Sequence, residues 1–199
     1  MNTPLGVKTL HRFGARHFGS SRVGDYDGQQ IQWRSYADID ASSARLANAL
    51  TRLGIVPGDR VGTFMWNSTQ HLETYLAVPS LGAVLHTLNC RLSTKHIAFI
   101  INHAADRFLV LDARLIDSFL PVLPLIPDVE HVIVSGGGDE AAGSLNDPRA
   151  VSYEALLRQA EDAFPWPEPE ENAAAGICYT SGTTAVSYTH LRAHETQRY

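Results

Sequence analysis

The chain has 199 residues, 44% hydrophobic and 19% charged, which is enough for one domain with a real core or two small ones and excludes a disordered polymer. A formal net charge of −5, mostly arginine cations and no dense basic run argue against an extended nucleic-acid surface. No apolar run reaches transmembrane length, and Met1 to Leu10 lacks the apolar core of a signal peptide; Cys90 and Cys178, both in apolar surroundings, fit a reduced cytoplasmic compartment.

Taken in order, the chain alternates strands and helices. Gln30 to Trp33 reads as a short extended piece after an Asp25–Gly28 turn. Ser35 offers an N-cap with Asp38 in capping-box position, opening a helix whose apolar stripe (Ile39, Leu46, Ala49, Leu50, Leu53) ends at Gly54. Pro57-Gly58-Asp59 makes a turn into a strand over Arg60–Met65. Asn67-Ser68 opens a second helix, disturbed near Pro79. Val84–Leu88 is the next strand, and Ser93 caps a third helix that stops around His103. Arg107–Leu111 is a strand ending at Asp112; a proline-interrupted helix covers roughly Leu115–Leu123, and His131–Val134 is a strand. Ser135–Pro148 reads as a surface loop, Tyr153–Ala163 as a helix, and Pro165–Pro169 as a stiff connector. This alternation predicts an α/β fold, a mostly parallel sheet with helices on both faces.

The connector leads to the most informative stretch. Ala173–Cys178 is small and apolar, as a short buried strand would be. At Tyr179 the character changes to Thr180-Ser181-Gly182-Thr183-Thr184. Hydroxyls and successive backbone N–H groups around a glycine can surround phosphate oxygens in a turn. The same composition also describes an ordinary Ser/Thr/Gly turn leaving a strand.

Tyr179-Thr180-Ser181-Gly182-Thr183-Thr184 resembles the opening of the phosphate-binding loop of the adenylate-forming enzymes, which include the acyl-CoA synthetases. The family loop continues with Gly and then Pro-Lys-Gly; here Ala185 and Val186-Ser187-Tyr188 depart from it. The resemblance extends upstream in family order. Ser35-Tyr36 with Ala44–Leu50 and Leu53-Gly54 is similar to the first helix of acyl-CoA synthetases, and Pro57–Val61 to the turn after it. Leu81–Asn89 with Arg91-Leu92 resembles the segment ending in Asn-x-Arg-Leu. The whole is most similar to the fatty-acyl-CoA synthetase branch.

The resemblance implies activation of a carboxylic acid, a fatty acid in this branch, by ATP to an acyl-adenylate, then transfer to the thiol of CoA. It implies that Thr180, Ser181, Gly182, Thr183 and Thr184 hold the β- and γ-phosphates, and that Thr180 touches Mg²⁺ through its hydroxyl. No catalytic residue is assigned in this chain. In the family the acyl pocket, later nucleotide contacts, CoA site and small C-terminal domain follow this loop, so residues 1–184 are expected to be a truncated N-terminal AMP-binding part, inactive alone. A cytoplasmic protein, peripheral to a membrane at most, and a homodimer at full length are the corresponding expectations. The alternative is a non-catalytic α/β module that binds a nucleotide or a partner.

Several other groups have a structural reading beside the chemical one. No Gly-x-x-x-x-Gly-Lys-Ser/Thr is present, so a P-loop NTPase is unsupported. Gly136-Gly137-Gly138 lacks dinucleotide-fold spacing and reads as a flexible loop. Asn67 and Asn89 follow strands, as turn residues or as ligand contacts. His86 reads as a hydrogen-bonded core histidine, and Cys178 as a buried inert thiol. His190 and His194 have the spacing of two metal ligands on a helix, but without a third. Val186–Thr196 also matches a translation of a transposase adapter used in sequencing libraries, so residues 185–199 are expected to be a non-native tail.

Overall fold

Residues 5–26, 28–168 and 170–179 are described in the computed structural model. Six strands, β3 (Arg60–Phe64), β4 (Val84–Thr87), β5 (Asp106–Asp112), β6 (His131–Ser135), β7 (Ala150–Ser152) and β8 (Gly176–Cys178), form one sheet. Its order is β7-β6-β5-β3-β4-β8, and every neighbouring pair runs parallel. A separate antiparallel hairpin, β1 (Arg22–Tyr26) with β2 (Ile31–Ser35), precedes it.

Strand alternation divides the apolar side chains between two cores, as a sheet covered on both faces requires. Val61, Leu85, Phe108, Val110 and Ile133 point one way, toward α2 (Tyr36–Arg52), α3 (Thr69–Ser80) and α7 (Tyr153–Arg158). Phe64, Leu109, Leu111, Val132 and Val134 point the other way, toward α4 (Thr94–Ala104) and the segment holding α5 (Ile116–Phe119). The expected fold class therefore stands.

Local chemistry explains the well-read elements. At α2 the Ser35 hydroxyl accepts from the Asp38 N–H at 3.1 Å while the Asp38 carboxylate accepts from the Ser35 N–H at 3.1 Å, the reciprocal capping box. The chain leaves α2 through Gly54, whose φ of 86° suits glycine.

Other elements differ from expectation. A first helix, α1 (Val7–Phe18), has no predicted counterpart, and its N-cap Gly6 offers no side chain to announce it. Residues 25 and 26 belong to β1 rather than to a turn. Pro79 does not disturb α3, because it lies in the last turn, just before the chain departs at Gly82 with φ 82°. Ser135–Pro148 is not all loop: α6 (Gly138–Ser144) forms there, with Ala142 and Leu145 anchored in a core. The segment predicted as a helix over Leu115–Leu123 breaks into a 3₁₀ turn, α5 and a second 3₁₀ turn at Leu123–Leu125, with Pro121 at the break after α5 and Pro124 inside the second 3₁₀ turn. The helix predicted to reach Ala163 stops at Arg158.

Candidate functional site

The strand β8 ends at the carboxyl edge of the sheet, and the residues predicted to hold phosphate follow it in the sequence. β8 pairs parallel to β4 with Leu85 opposite Gly176, His86 opposite Ile177 and Thr87 opposite Cys178, and Tyr179 follows at its carboxyl end. Thr180, Ser181, Gly182, Thr183 and Thr184, and with them the Mg²⁺ assignment to Thr180, lie outside the described residues. The same holds for His190, His194 and the boundary at residue 184.

Tyr179 is fastened from two sides. Its hydroxyl lies 2.6 Å from Nδ1 of His103, at the end of α4, and its ring centroid is 5.2 Å from that of His86. Burial raises the phenol's pKa, with the Asp106 carboxylate adding to the effect, so the hydroxyl stays protonated at neutral pH.

His86 is itself held. It is fully buried, and its Nδ1 lies 2.7 Å from Oδ2 of Asp106, which is 1% exposed. Asp106 heads β5, while His86 sits in β4, and β3 runs between them. The carboxylate reaches across because Gly62 of β3 has no side chain: a Cβ there would stand 2.8 Å from Asp106 Oδ2. Burial drives the Asp106 pKa up; the His86 hydrogen bond and charge and the Arg60 guanidinium oppose this without cancelling it. Arg60 is pinned by the carbonyls of Ala104 and Ala105 at 2.7 and 2.9 Å. The His86 Nε2 has no hydrogen-bond partner among the described residues. Thus the histidine is buried and bonded as expected, and Cys178 is a half-buried free thiol.

The strand connections diverge at one point of the sheet. β3 leads to β4 on one side and β5 to β6 on the other, so the carboxyl ends of β3 and β5 flank the switch point where α/β sheets bind ligands. On the β3 side, His71 of α3 bonds Thr63 Oγ1 at 3.0 Å and the Trp66 carbonyl at 3.2 Å. Burial lowers the His71 pKa, so it is a neutral brace. On the β5 side, Asp112 Oδ1 accepts from the Arg114 N–H at 2.9 Å, and Oδ2 takes Arg114 Nη2 at 2.6 Å. This carboxylate therefore orients an exposed guanidinium just past the carboxyl end of β5, a donor fork suited to an anionic group. Cys90 beside it keeps its proton, since burial raises its pKa.

Asn89 is a turn residue: its Oδ1 accepts from the Arg91 N–H at 3.0 Å. Asn67 directly precedes the α3 cap Ser68. Gly136, Gly137 and Gly138 have φ of 91°, 74° and 62°, and the Gly136 N–H donates to Glu154 Oε1 at 2.8 Å, so the triplet serves the turn into α6. The sequence reading overlooked Gly62, His103 and Asp106. The one available signal for Asp106 was an acid at the head of an otherwise apolar strand.

A parallel sheet covered by helices on both faces defines the α/β class, and comparison narrows it. The model of the AMP-binding enzyme family matches residues 14–187, and the chain belongs to that family. It is 37% identical over 199 residues to a 3-methylmercaptopropionyl-CoA ligase of Ruegeria lacuscaerulensis, covering 96% of this chain and 36% of the relative. It is 36% identical over 199 residues to a medium-chain-fatty-acid–CoA ligase of Ectopseudomonas oleovorans, with the same two coverages. Among solved structures, an anthranilate CoA ligase in complex with anthranoyl-AMP superposes with a TM-score of 0.79 over 94% of this chain and 34% of its own; at 16% identity this shows the shared fold. The chain spans about 36% of the length of these curated relatives.

Proposed function

We propose that the protein to which this chain contributes its N-terminal part is an ATP-dependent acid–thiol ligase. It joins a carboxylic acid, a fatty acid by likeness to the medium-chain ligase, to CoA by way of an acyl-adenylate. The observation that supports this most is the placement of β8 beside β4 in a parallel sheet, with Tyr179 clamped at its carboxyl end directly before Thr180.

In this reading the residues of the chain position and screen charge. Thr180, Ser181, Gly182, Thr183 and Thr184 offer hydroxyl and backbone N–H donors without a charge of their own, a donor set that fits phosphate oxygens. Mg²⁺ prefers oxygen ligands and keeps much of its shell from phosphates and water, so Thr180 would be the one protein oxygen offered from this stretch. When bound, the ion neutralises developing charge on the phosphates. Tyr179, His86 and His103 hold the strand from which that stretch departs. Residues 1–184 form the N-terminal part of the AMP-binding domain and 185–199 a non-native tail. The whole protein is placed in the cytoplasm as a homodimer, with membrane contact confined to its surface.

The test compares half-reactions in the full-length protein read from the source locus beyond codon 184. Thr183→Ala/Thr184→Ala is expected to slow carboxylate-dependent ATP–pyrophosphate exchange, at about 10²–10³-fold per lost transition-state donor. Thioester formation from supplied acyl-adenylate is expected to stay within twofold. Equal loss in both steps, or loss in neither, removes the phosphate-cradle assignment. The 199-residue chain alone is expected to show no exchange.

A further inference from the structure

The corner between α4 and β5 reaches Tyr179 by two routes. α4 stops at Ala104, Ala105 takes a left-handed turn (φ 53°, ψ 53°), and Asp106 opens β5. This sharp turn sets His103 and Asp106 on either side of it. By the direct route, His103 Nδ1 meets the Tyr179 hydroxyl at 2.6 Å. The His103 ring is braced in turn by Phe99, one helical turn back, stacked at 5.6 Å. By the other route, Asp106 Oδ2 meets His86 Nδ1 at 2.7 Å, and the His86 ring lies 5.2 Å from that of Tyr179. The corner itself is tied down, because the carbonyls of Ala104 and Ala105 accept from the Arg60 guanidinium.

Stability alone does not account for this arrangement. A glycine inside a strand, as Gly62 is, weakens it. Asp106 and His86 are 1% and 0% exposed, where apolar side chains of like volume would serve stability as well or better. The imidazole also keeps a buried Nε2 without a partner among the described residues. A satisfied polar contact has a direction that an apolar contact lacks, and so fixes one orientation of a ring. Here the Asp106 contact fixes His86, and with it the surface on which Tyr179 rests.

Tyr179 directly precedes Thr180. We propose that Asp106 and His103 are positioning residues for the ATP-dependent step. They hold Tyr179, and through it the point from which residues 180–184 depart, so that the phosphate donors start from one place. A displacement of about 1 Å imposed from a distance can lower a rate about 10²-fold, so neither residue needs to touch ATP. The proposal rests on the ligase reading for the reaction it affects. The hold on Tyr179 rests on contacts made within this chain.

The test has two arms. In the 199-residue chain without ligands, hydrogen exchange at the amides of Ile177 and Cys178 is measured relative to those of β6. Asp106→Ala, which frees His86, is expected to raise this ratio about tenfold, and His103→Ala about threefold. Asp106→Asn keeps an oxygen for the His86 Nδ1–H and should stay within about twofold. Leu46→Ala, in the core on the opposite face of the sheet, is expected to lower the melting temperature and leave the ratio unchanged. In the full-length protein, Asp106→Ala is expected to lower kcat of carboxylate-dependent ATP–pyrophosphate exchange about 10²-fold. Thioester formation from supplied acyl-adenylate should stay within about twofold, since the phosphates have left before that step. Asp106→Asn should recover most of the lost exchange, and Leu46→Ala should change both steps alike. An unchanged hydrogen-exchange ratio in Asp106→Ala, equal loss in both half-reactions, or an Asp106→Asn variant no better than Asp106→Ala overturns the proposal. A full-length parent without pyrophosphate exchange refutes the ligase reading and the proposal with it, whereas an active parent with an equally active Asp106→Ala overturns the proposal alone.

Discussion

Gly62→Ala tests the buried geometry beneath Tyr179, because sequence and structure predict opposite signs for it. In an ordinary strand the change stabilises by roughly 0.5–1 kcal/mol, since glycine loses more backbone freedom on folding. Here the added Cβ would stand 2.8 Å from Asp106 Oδ2 and 2.9 Å from Leu109 Cδ1. Overpacking of this kind costs about 1–3 kcal/mol. The carboxylate can yield only by leaving His86 Nδ1, now 2.7 Å away, and breaking a buried polar pair by removing one partner costs about 3–5 kcal/mol. A net loss of about 2–4 kcal/mol is expected, which for a chain this size lowers the melting temperature by about 5–15 °C. Asp106→Ala alone should cost about 3–5 kcal/mol, because His86 is left buried without a partner. Once the carboxylate is gone the alanine meets only Leu109, so Gly62→Ala/Asp106→Ala should fall within about 1 kcal/mol of Asp106→Ala. Urea unfolding of the four proteins gives the cycle. A stabilised Gly62→Ala, or strictly additive losses, would refute the passage of the carboxylate over Gly62.

Two further outcomes are expected of this chain. Tyr179→Phe removes the hydroxyl that meets His103, a loss of about 0.5–1.5 kcal/mol, so the amides of Ile177 and Cys178 should exchange hydrogen roughly two- to tenfold faster while those of β5 and β6 do not change; equal exchange would mean the contact holds nothing. Asp40→Asn addresses acid stability. Burial alone would raise the Asp40 pKa, but His11 and Arg12 reverse this and hold it below the ordinary carboxylate range. A depressed carboxylate contributes stability above the unfolded pKa and loses it as pH falls through the folded one. The parent chain should therefore lose its advantage over Asp40→Asn below about pH 4, and a gap that widens as the pH falls would contradict the assignment.

What the sequence made legible was local. The capping box at Ser35 and Asp38, the turn at Gly54 and the apolar strands are set by neighbours within a few residues, and periodicity exposes them. α1 was not legible because its N-cap is a glycine and its apolar side is interrupted by Gly14 and His11. The Glu-Ala stretch of α6 was masked by the three glycines before it. The hydroxyl-rich segment after Tyr179 was read from its composition and its family likeness. The dyad below it was only half read. His86 looked like a bonded core histidine, but its partner lies in a strand two places away in the sheet. No pattern along the chain announces that β3 will stand between β4 and β5, or that a glycine in β3 will leave the gap through which Asp106 passes.

The same dyad explains how so short a strand can hold a fixed register. Among the described residues β8 has three residues and pairs only with β4, at the edge of the sheet. A ladder this short specifies position weakly, and a slip of one residue would exchange the two faces of the strand. Ile177 lies opposite His86, so Tyr179, two residues on, shares the face of that imidazole. After a one-residue slip Cys178 would take this face, and the ring contact at 5.2 Å and the hydroxyl bond to His103 would both be lost. Tyr179 therefore marks the register by touching β4 and α4 at once. For it to do so His86 must not turn, which is what Asp106 secures from the far side of β3. A chain of contacts from β5 through β4 to β8 thus fixes the point where the hydroxyl-rich segment begins.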